Sequence, residues 1–124
     1  METSYVSAAR VITTAEACRR FGLTARAMRH YEDRGLLQVE RDWLNRRCYD
    51  AEAQRRLAWI AALRRARLPL RDVDEVLRAE AVSGAGAEVA DEKLRALAAD
   101  FARLQAVAEE MRRVIASGAA SIAA

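Results

Sequence analysis

The sequence predicts a mainly α-helical chain: a small helical domain carrying one short hairpin, followed by a long helix suited to a coiled coil. Three observations predict it. Proline occurs once (Pro69) and glycine five times in 124 residues, which leaves room for long helices. Alanine is abundant and aromatics make up only 6% of the chain, as expected where small side chains lie between close-packed helices. Near the C-terminus, seven apolar residues follow the alternating spacing of a heptad seam.

The elements follow in order. Residues 1–11 are a polar lead without a pattern. Thr13 or Thr14 can cap a helix that runs to about Phe21, where Gly22 breaks it. Thr24 caps a second short helix, Ala25 to about Asp33, which Gly35 ends. Two short helices about the turn Phe21-Gly22-Leu23-Thr24 have the layout of a helix-turn-helix. On the second helix Arg26 and Arg29 share a face, because residues three apart are neighbours on a helix surface. Ala25 and Ala27 are small enough to allow close approach to a groove, and Leu23 and Met28 are expected to face the core. Leu36–Val39 reads as a strand, Asp42–Asn45 as a turn and Arg46–Tyr49 as the return strand. This small wing carries Arg41, Arg46 and Arg47, and such a hairpin can lie along a phosphate backbone.

Asp50 caps a third helix to about Ala66, with Leu57, Ile60 and Leu63 in its apolar stripe and Trp59 beside them. After Pro69, a fourth helix of about Leu70 to Ala81 is expected to bury Val73, Val76 and Leu77. Ser83-Gly84-Ala85-Gly86 reads as a flexible joint. In the last segment Leu94, Leu97, Phe101, Leu104, Ala108, Met111 and Ile115 are separated by 3, 4, 3, 4, 3 and 4 residues. That is the a/d alternation of a coiled coil over three heptads. Such a helix cannot bury its seam alone. Homodimerisation is the economical answer, and packing back onto the N-terminal domain is the alternative.

The formal net charge is +3, but it is unevenly spread. Residues 1–70 hold 14 basic against 8 acidic side chains, and residues 71–124 hold 7 against 10. All but Lys93 of the bases are Arg, the better bidentate partner for phosphate and guanine edges. A basic front half points to a polyanion, although charge alone is equally compatible with a solvated surface. Cys18 and Cys48 have neither a disulfide framework nor zinc spacing around them. No signal-peptide run or membrane-length apolar stretch occurs, so a cytoplasmic, nucleoid-associated location is expected.

The stretch from Arg19 to Leu37, with Arg29-His30-Tyr31-Glu32 followed by Gly35-Leu36, resembles the signature of the mercury-resistance regulator (MerR) family. The likeness continues with Arg47-Cys48-Tyr49, similar to the family's Arg-x-Tyr, and with Leu57, Ile60, Leu63 and Leu70 in the third and fourth helices. It spans about residues 12–116. The resemblance implies a winged helix-turn-helix DNA-binding domain over 1–82, a linker at 83–87, a dimerisation helix at 88–116 and a flexible tail at 117–124. It further implies an antiparallel coiled coil in a homodimer on a pseudo-palindromic operator in double-stranded promoter DNA, with RNA polymerase as a further partner there. Many members distort that DNA as a switch.

Residue by residue, the resemblance places Arg26, Arg29, His30 and Tyr31 of the recognition helix, Arg47 of the wing and Arg64 of the third helix at the DNA; Thr24 and Ala25 at the start of that helix and Arg41 and Arg46 of the hairpin are further candidate contacts from the layout of these elements. His30 stands where the family commonly has an aromatic, but it can still donate to phosphate. Each assignment has a plainer alternative. Arg26, Arg29 and Arg64 could be solvated charges, Tyr31 a core ring with its hydroxyl at the surface, and Arg47 a partner of Glu32 or Asp33 that holds the wing.

A sensor is expected to be absent or unconventional. Residues 49–124 contain no Cys and no His, so neither metal nor iron–sulfur sensing is expected there, and neither is a large ligand domain. Cys18 reads as core filler, and Cys48 is expected to alternate inward on its strand. Trp43 and Trp59 are either pocket walls or packing residues. No catalytic set, metal cluster or cofactor motif is found, so no enzyme is expected. The competing readings are a coiled-coil protein-interaction module and an architectural DNA-binding protein of weak sequence preference.

Overall fold

The computed structural model describes residues 10–118. The first nine residues of the polar lead, and the part of the expected tail from residue 119 on, lie outside the described residues.

Three short strands and five helices follow one another in the chain. They are β1 (Ile12–Thr13), α1 (Thr14–Phe21), α2 (Ala25–Asp33), β2 (Glu40–Arg41), β3 (Arg47–Tyr49), α3 (Ala51–Arg65), α4 (Leu70–Ser83) and α5 (Gly86–Ala116). The helix starts follow from local chemistry. Thr13 accepts a hydrogen bond from the Glu16 amide while the Glu16 carboxylate accepts one from the Thr13 amide, a reciprocal capping box. The Thr13 amide donating to Glu16 Oε1 holds the Glu16 carboxyl below its ordinary value. Thr24 and Asp50 cap α2 and α3 by accepting from the Ala27 and Ala53 amides. Gly22 ends α1 in the left-handed conformation at φ +67°, which a glycine reaches without a Cβ penalty.

The sheet has the order β1-β3-β2 with both pairs antiparallel, Ile12 opposite Tyr49 and Glu40 opposite Cys48. It differs from the expected hairpin in two ways. First, β1 adds a third strand beside β3, placing buried Ile12 over buried Tyr49. Second, Leu36–Val39 is not a strand. Leu36 and Leu37 are both buried, whereas consecutive strand residues face opposite sides. Their backbone is also engaged elsewhere: the Leu36 amide donates to the Tyr31 carbonyl, and its own carbonyl accepts from Arg56 Nε at 2.8 Å. The outgoing strand therefore begins at Glu40.

The core gathers Met28 from α2, Leu36 and Leu37 from the connecting loop, Tyr49 from β3, Leu57 and Ile60 from α3, and Val73, Val76 and Leu77 from α4. Each such side chain contributes roughly 1.5–3 kcal/mol on burial. Leu63 is buried as expected, and Leu68 joins it from the α3–α4 turn. That turn is held by Arg64 Nη1 donating to the Leu68 carbonyl at 2.7 Å.

Between α4 and α5 the break is only Gly84 and Ala85. The Gly84 and Ala85 amides donate to the Glu80 and Ala79 carbonyls, and the Gly86 amide donates to Glu80 Oε1 at 3.0 Å. The glycine-rich stretch read as a flexible joint is thus a helix C-cap with a hydrogen-bonded turn, and the long helix starts at Gly86. The chain divides after Ala90 into two compact units. Within the second, Phe101, Leu104, Val107, Met111 and Ile115 are all exposed large apolar residues. No helix among the described residues is long and apolar enough to cross a membrane.

Candidate nucleic-acid interface

The helix pair α1–α2 sets the geometry. α2 buries Met28 and Tyr31 and turns Arg26, Arg29 and His30 outward, all three exposed. Its period places three potential donors on the face opposite the core, with no acid in the first turn. Thr24 is exposed and its hydroxyl is engaged in the cap, while Ala25 is half-buried. The structure thus keeps Thr24, Arg26, Arg29 and His30 on the surface. It places the Tyr31 ring in the core at 6% exposure, which matches the plainer of its two readings.

The wing is tied to this helix. Arg47 on β3 donates from Nε to Glu32 Oε1 at 3.1 Å, and both side chains are about 30% exposed. The holding role that the sequence left open for Arg47 is therefore realised, with Glu32 and not Asp33 as the acid. At the far end, Asp42 organises the tip. Its carboxylate accepts from the Leu44 and Arg46 amides and from Arg46 Nε, all within 3.0 Å. These donors, led by the Arg46 amide, hold the Asp42 carboxyl below its ordinary value. Asn45 closes the turn at φ +61°, a left-handed conformation that asparagine tolerates. Arg41 Nη1 donates to the Asn45 carbonyl at 2.9 Å. The result is a rigid loop displaying Trp43, 89% exposed, and Leu44. At that exposure Trp43 is not packed into the wing.

A second basic feature was not singled out from the sequence. Arg19, Arg20, Arg64 and Arg65 line a cleft of about 520 Å³ over the Phe21-Gly22-Leu23 turn. Of these four, the family resemblance points to Arg64 alone as a contact. The available signal was the Arg-Arg doublet near the end of both α1 and α3. Arg20 lies over the Phe21 ring at 5.3 Å and donates to Gln54 Oε1 at 2.8 Å, so its charge is held in place.

Trp59 is half-buried and lines a separate cleft of about 340 Å³ with Leu77, Glu80 and Ala81. Cys18 and Cys48 are half-buried free thiols. Cys18 Sγ lies 3.7 Å from Met28 Sδ, and burial raises the Cys48 thiol above its ordinary value, away from the reactive thiolate. Among the described residues no group of three or more His, Cys, Asp or Glu is placed to hold a metal ion.

A capped helix pair with an outward basic face, joined to an arginine-bearing wing, defines a winged helix-turn-helix protein. The comparisons make the family specific. The model of the MerR HTH family regulatory protein matches residues 12–80, and the chain belongs to that family. Among curated proteins none matches. Several solved structures share the fold, three of them as follows. HiNmlR, described as a MerR family regulator lacking the sensor domain and bound to promoter DNA, is 20% identical with a TM-score of 0.60, over 93% of this chain and 92% of that one. A MerR family transcriptional regulator from Listeria monocytogenes is 24% identical with a TM-score of 0.61, over 84% and 83%. One from Bacillus thuringiensis is 18% identical with a TM-score of 0.56, over 90% and 99%.

Proposed function

We propose that this MerR-family chain is a sequence-specific DNA-binding transcriptional regulator that occupies a pseudo-palindromic promoter operator as a homodimer and distorts it. The observation that carries the reading is the outward face of α2, where Arg26, Arg29 and His30 are exposed while Met28 and Tyr31 anchor the helix from behind. A helix so anchored can enter a major groove, with Arg26 and Arg29 as donors to guanine edges or phosphate. Arg41, Arg46 and the Arg64 cleft then serve the flanking backbone.

Homodimerisation is supported by the seam of α5. Leu94, Phe101, Leu104, Met111 and Ile115 are all exposed in the single chain, an apolar row that a second copy would cover. Two recognition helices held by such a coiled coil match a pseudo-palindrome by symmetry. The structural neighbour HiNmlR is itself bound to promoter DNA, which supports promoter binding by this chain.

Selection of bound fragments from genomic DNA with the purified protein tests this. Recovery of a pseudo-palindromic site within promoter spacers is the expected result. Binding that is salt-sensitive but blind to sequence would leave the architectural reading, and no binding would leave the protein-interaction reading.

A further inference from the structure

We propose that the wing tip is an apolar wedge for DNA: the Trp43 indole packs on the deoxyribose walls of the minor groove flanking the major groove that α2 enters. The inference rests on the DNA-binding reading above and names a contact residue which that reading does not require.

Three observations carry it. Trp43 is 89% exposed and Leu44 beside it is also exposed, so the largest side chain of the wing is held in water. It is held there rigidly. The tip is closed by the Asp42 amide donating to the Arg46 carbonyl, the Asn45 amide donating to the Asp42 carbonyl, and the three bonds accepted by the Asp42 carboxylate. A side chain presented by a pre-ordered loop loses little conformational freedom on binding. The electrostatics also select the partner. Asp42, the acid of the tip, has its charge answered by Arg46, and the Arg41 guanidinium is held on the same loop by the Asn45 carbonyl, so the tip that carries the indole also carries two arginines. A narrow minor groove attracts such groups, and its sugar walls offer apolar surface to a ring. The Arg47–Glu32 pair ties the wing to α2, so the wedge and the recognition helix approach one duplex as a unit.

The test uses the full chain with Trp59→Phe, which leaves Trp43 as its single tryptophan, and the duplex bound most strongly in the fragment selection. If none is recovered, sheared genomic DNA serves. Three results are expected. The duplex shields Trp43 from acrylamide quenching severalfold. Trp43→Ala weakens binding about tenfold with an unchanged salt slope, because no phosphate contact is lost, while Trp43→Phe retains most of the affinity. Replacing flanking G·C pairs by inosine·C, which removes the N2 amino group from the minor groove, strengthens binding by the wild type but not by Trp43→Ala.

Wild-type affinity in Trp43→Ala, or an indole still open to acrylamide in the complex, overturns the wedge while leaving the regulator reading intact. A change in sedimentation of Trp43→Ala without DNA also overturns it, by making the tip a protein contact. A wild-type chain that binds neither duplex sinks the regulator reading and the wedge together.

Discussion

Arg47 Nε lies 3.1 Å from Glu32 Oε1, and this pair joins the middle strand of the sheet to the last turn of the recognition helix. Among the described residues no other ion pair between the two elements is seen, so this pair is a direct polar link between wing and helix. Being partly shielded, the pair is worth about 1 kcal/mol in stability.

Its role separates from direct phosphate contact by experiment. Arg47→Ala is expected to weaken DNA binding across all sequences. If Arg47 acts by holding the wing, Glu32→Ala weakens binding to a similar degree and the double variant is no worse than either single one. If Arg47 contacts phosphate, only its own substitution lowers the salt slope, by about one. Binding isotherms at several salt concentrations read both quantities.

Arg26 and Arg29 share the exposed face of α2, but Arg26 lies in its first turn, the part of a recognition helix that meets base edges. Arg26→Ala is therefore expected to change base preference, at a cost of about 1–3 kcal/mol for the preferred site. Selection from a randomised duplex pool checks it. An unaltered preference in Arg26→Ala would show that the reading face of the helix lies elsewhere.

Much of this arrangement was legible in the sequence, for identifiable reasons. Helix starts are local: Thr24 and Asp50 carry their caps in their own side chains, and Gly22 carries the left-handed stop. The stripe Leu57, Ile60, Leu63 is periodic and fully buried. What escaped was non-local or too short to be periodic. β1 is two residues long, and its pairing with β3 lies 37 residues further along the chain, Ile12 with Tyr49. Leu36 and Leu37 look like a strand by composition, yet both are buried and the Leu36 backbone is bonded to Tyr31 of α2 and Arg56 of α3. Tyr31 stood between core and surface, a choice that only packing decides. Gly84 and Gly86 looked like a loose joint because composition does not reveal hydrogen bonds to Glu80.

That last glycine has little room. A Cβ on Gly86 would lie 2.6 Å from Glu80 Oε1, 2.8 Å from Glu80 Cβ and 3.3 Å from Trp59 Cζ2. Gly86→Ala is thus expected to push Glu80 aside and break its bond to the Gly86 amide, destabilising the chain by about 1–3 kcal/mol. A lowered midpoint in thermal or urea unfolding checks it. Gly84→Ala meets nothing within 4 Å and suffers only from its φ of +71°, so about 1 kcal/mol is expected.

Asp42 makes the wing tip acid-sensitive. Its folded pKa lies below the ordinary 3.8, because backbone amides and Arg46 favour the charged form. A depressed carboxyl pKa contributes stability that is fully present above the unfolded value and is lost as the pH falls through the folded one. The tip should hold unchanged at neutral pH and loosen only in acid, below the ordinary carboxylate range. Amide exchange at Leu44 and Arg46, or anisotropy of Trp43, follows the loosening. Asp42→Asn should remove the acid transition, and a transition that survives in Asp42→Asn would assign it to another group.

Leu104 offers the sharpest test of the coiled coil, because it is 68% exposed in the single chain. An Asp there costs the lone helix little beyond propensity, roughly 0.5 kcal/mol. In a coiled coil the same Asp would be buried at a seam position, where an unpaired charge costs several kcal/mol. Leu104→Asp is therefore expected to keep its helicity by circular dichroism yet sediment as a monomer and bind the operator far more weakly. Leu97 is already half-buried in the single chain, so its change in exposure on pairing is smaller and it reports less cleanly. A Leu104→Asp chain that still sediments as a dimer would mean that the seam is covered by something other than a second α5.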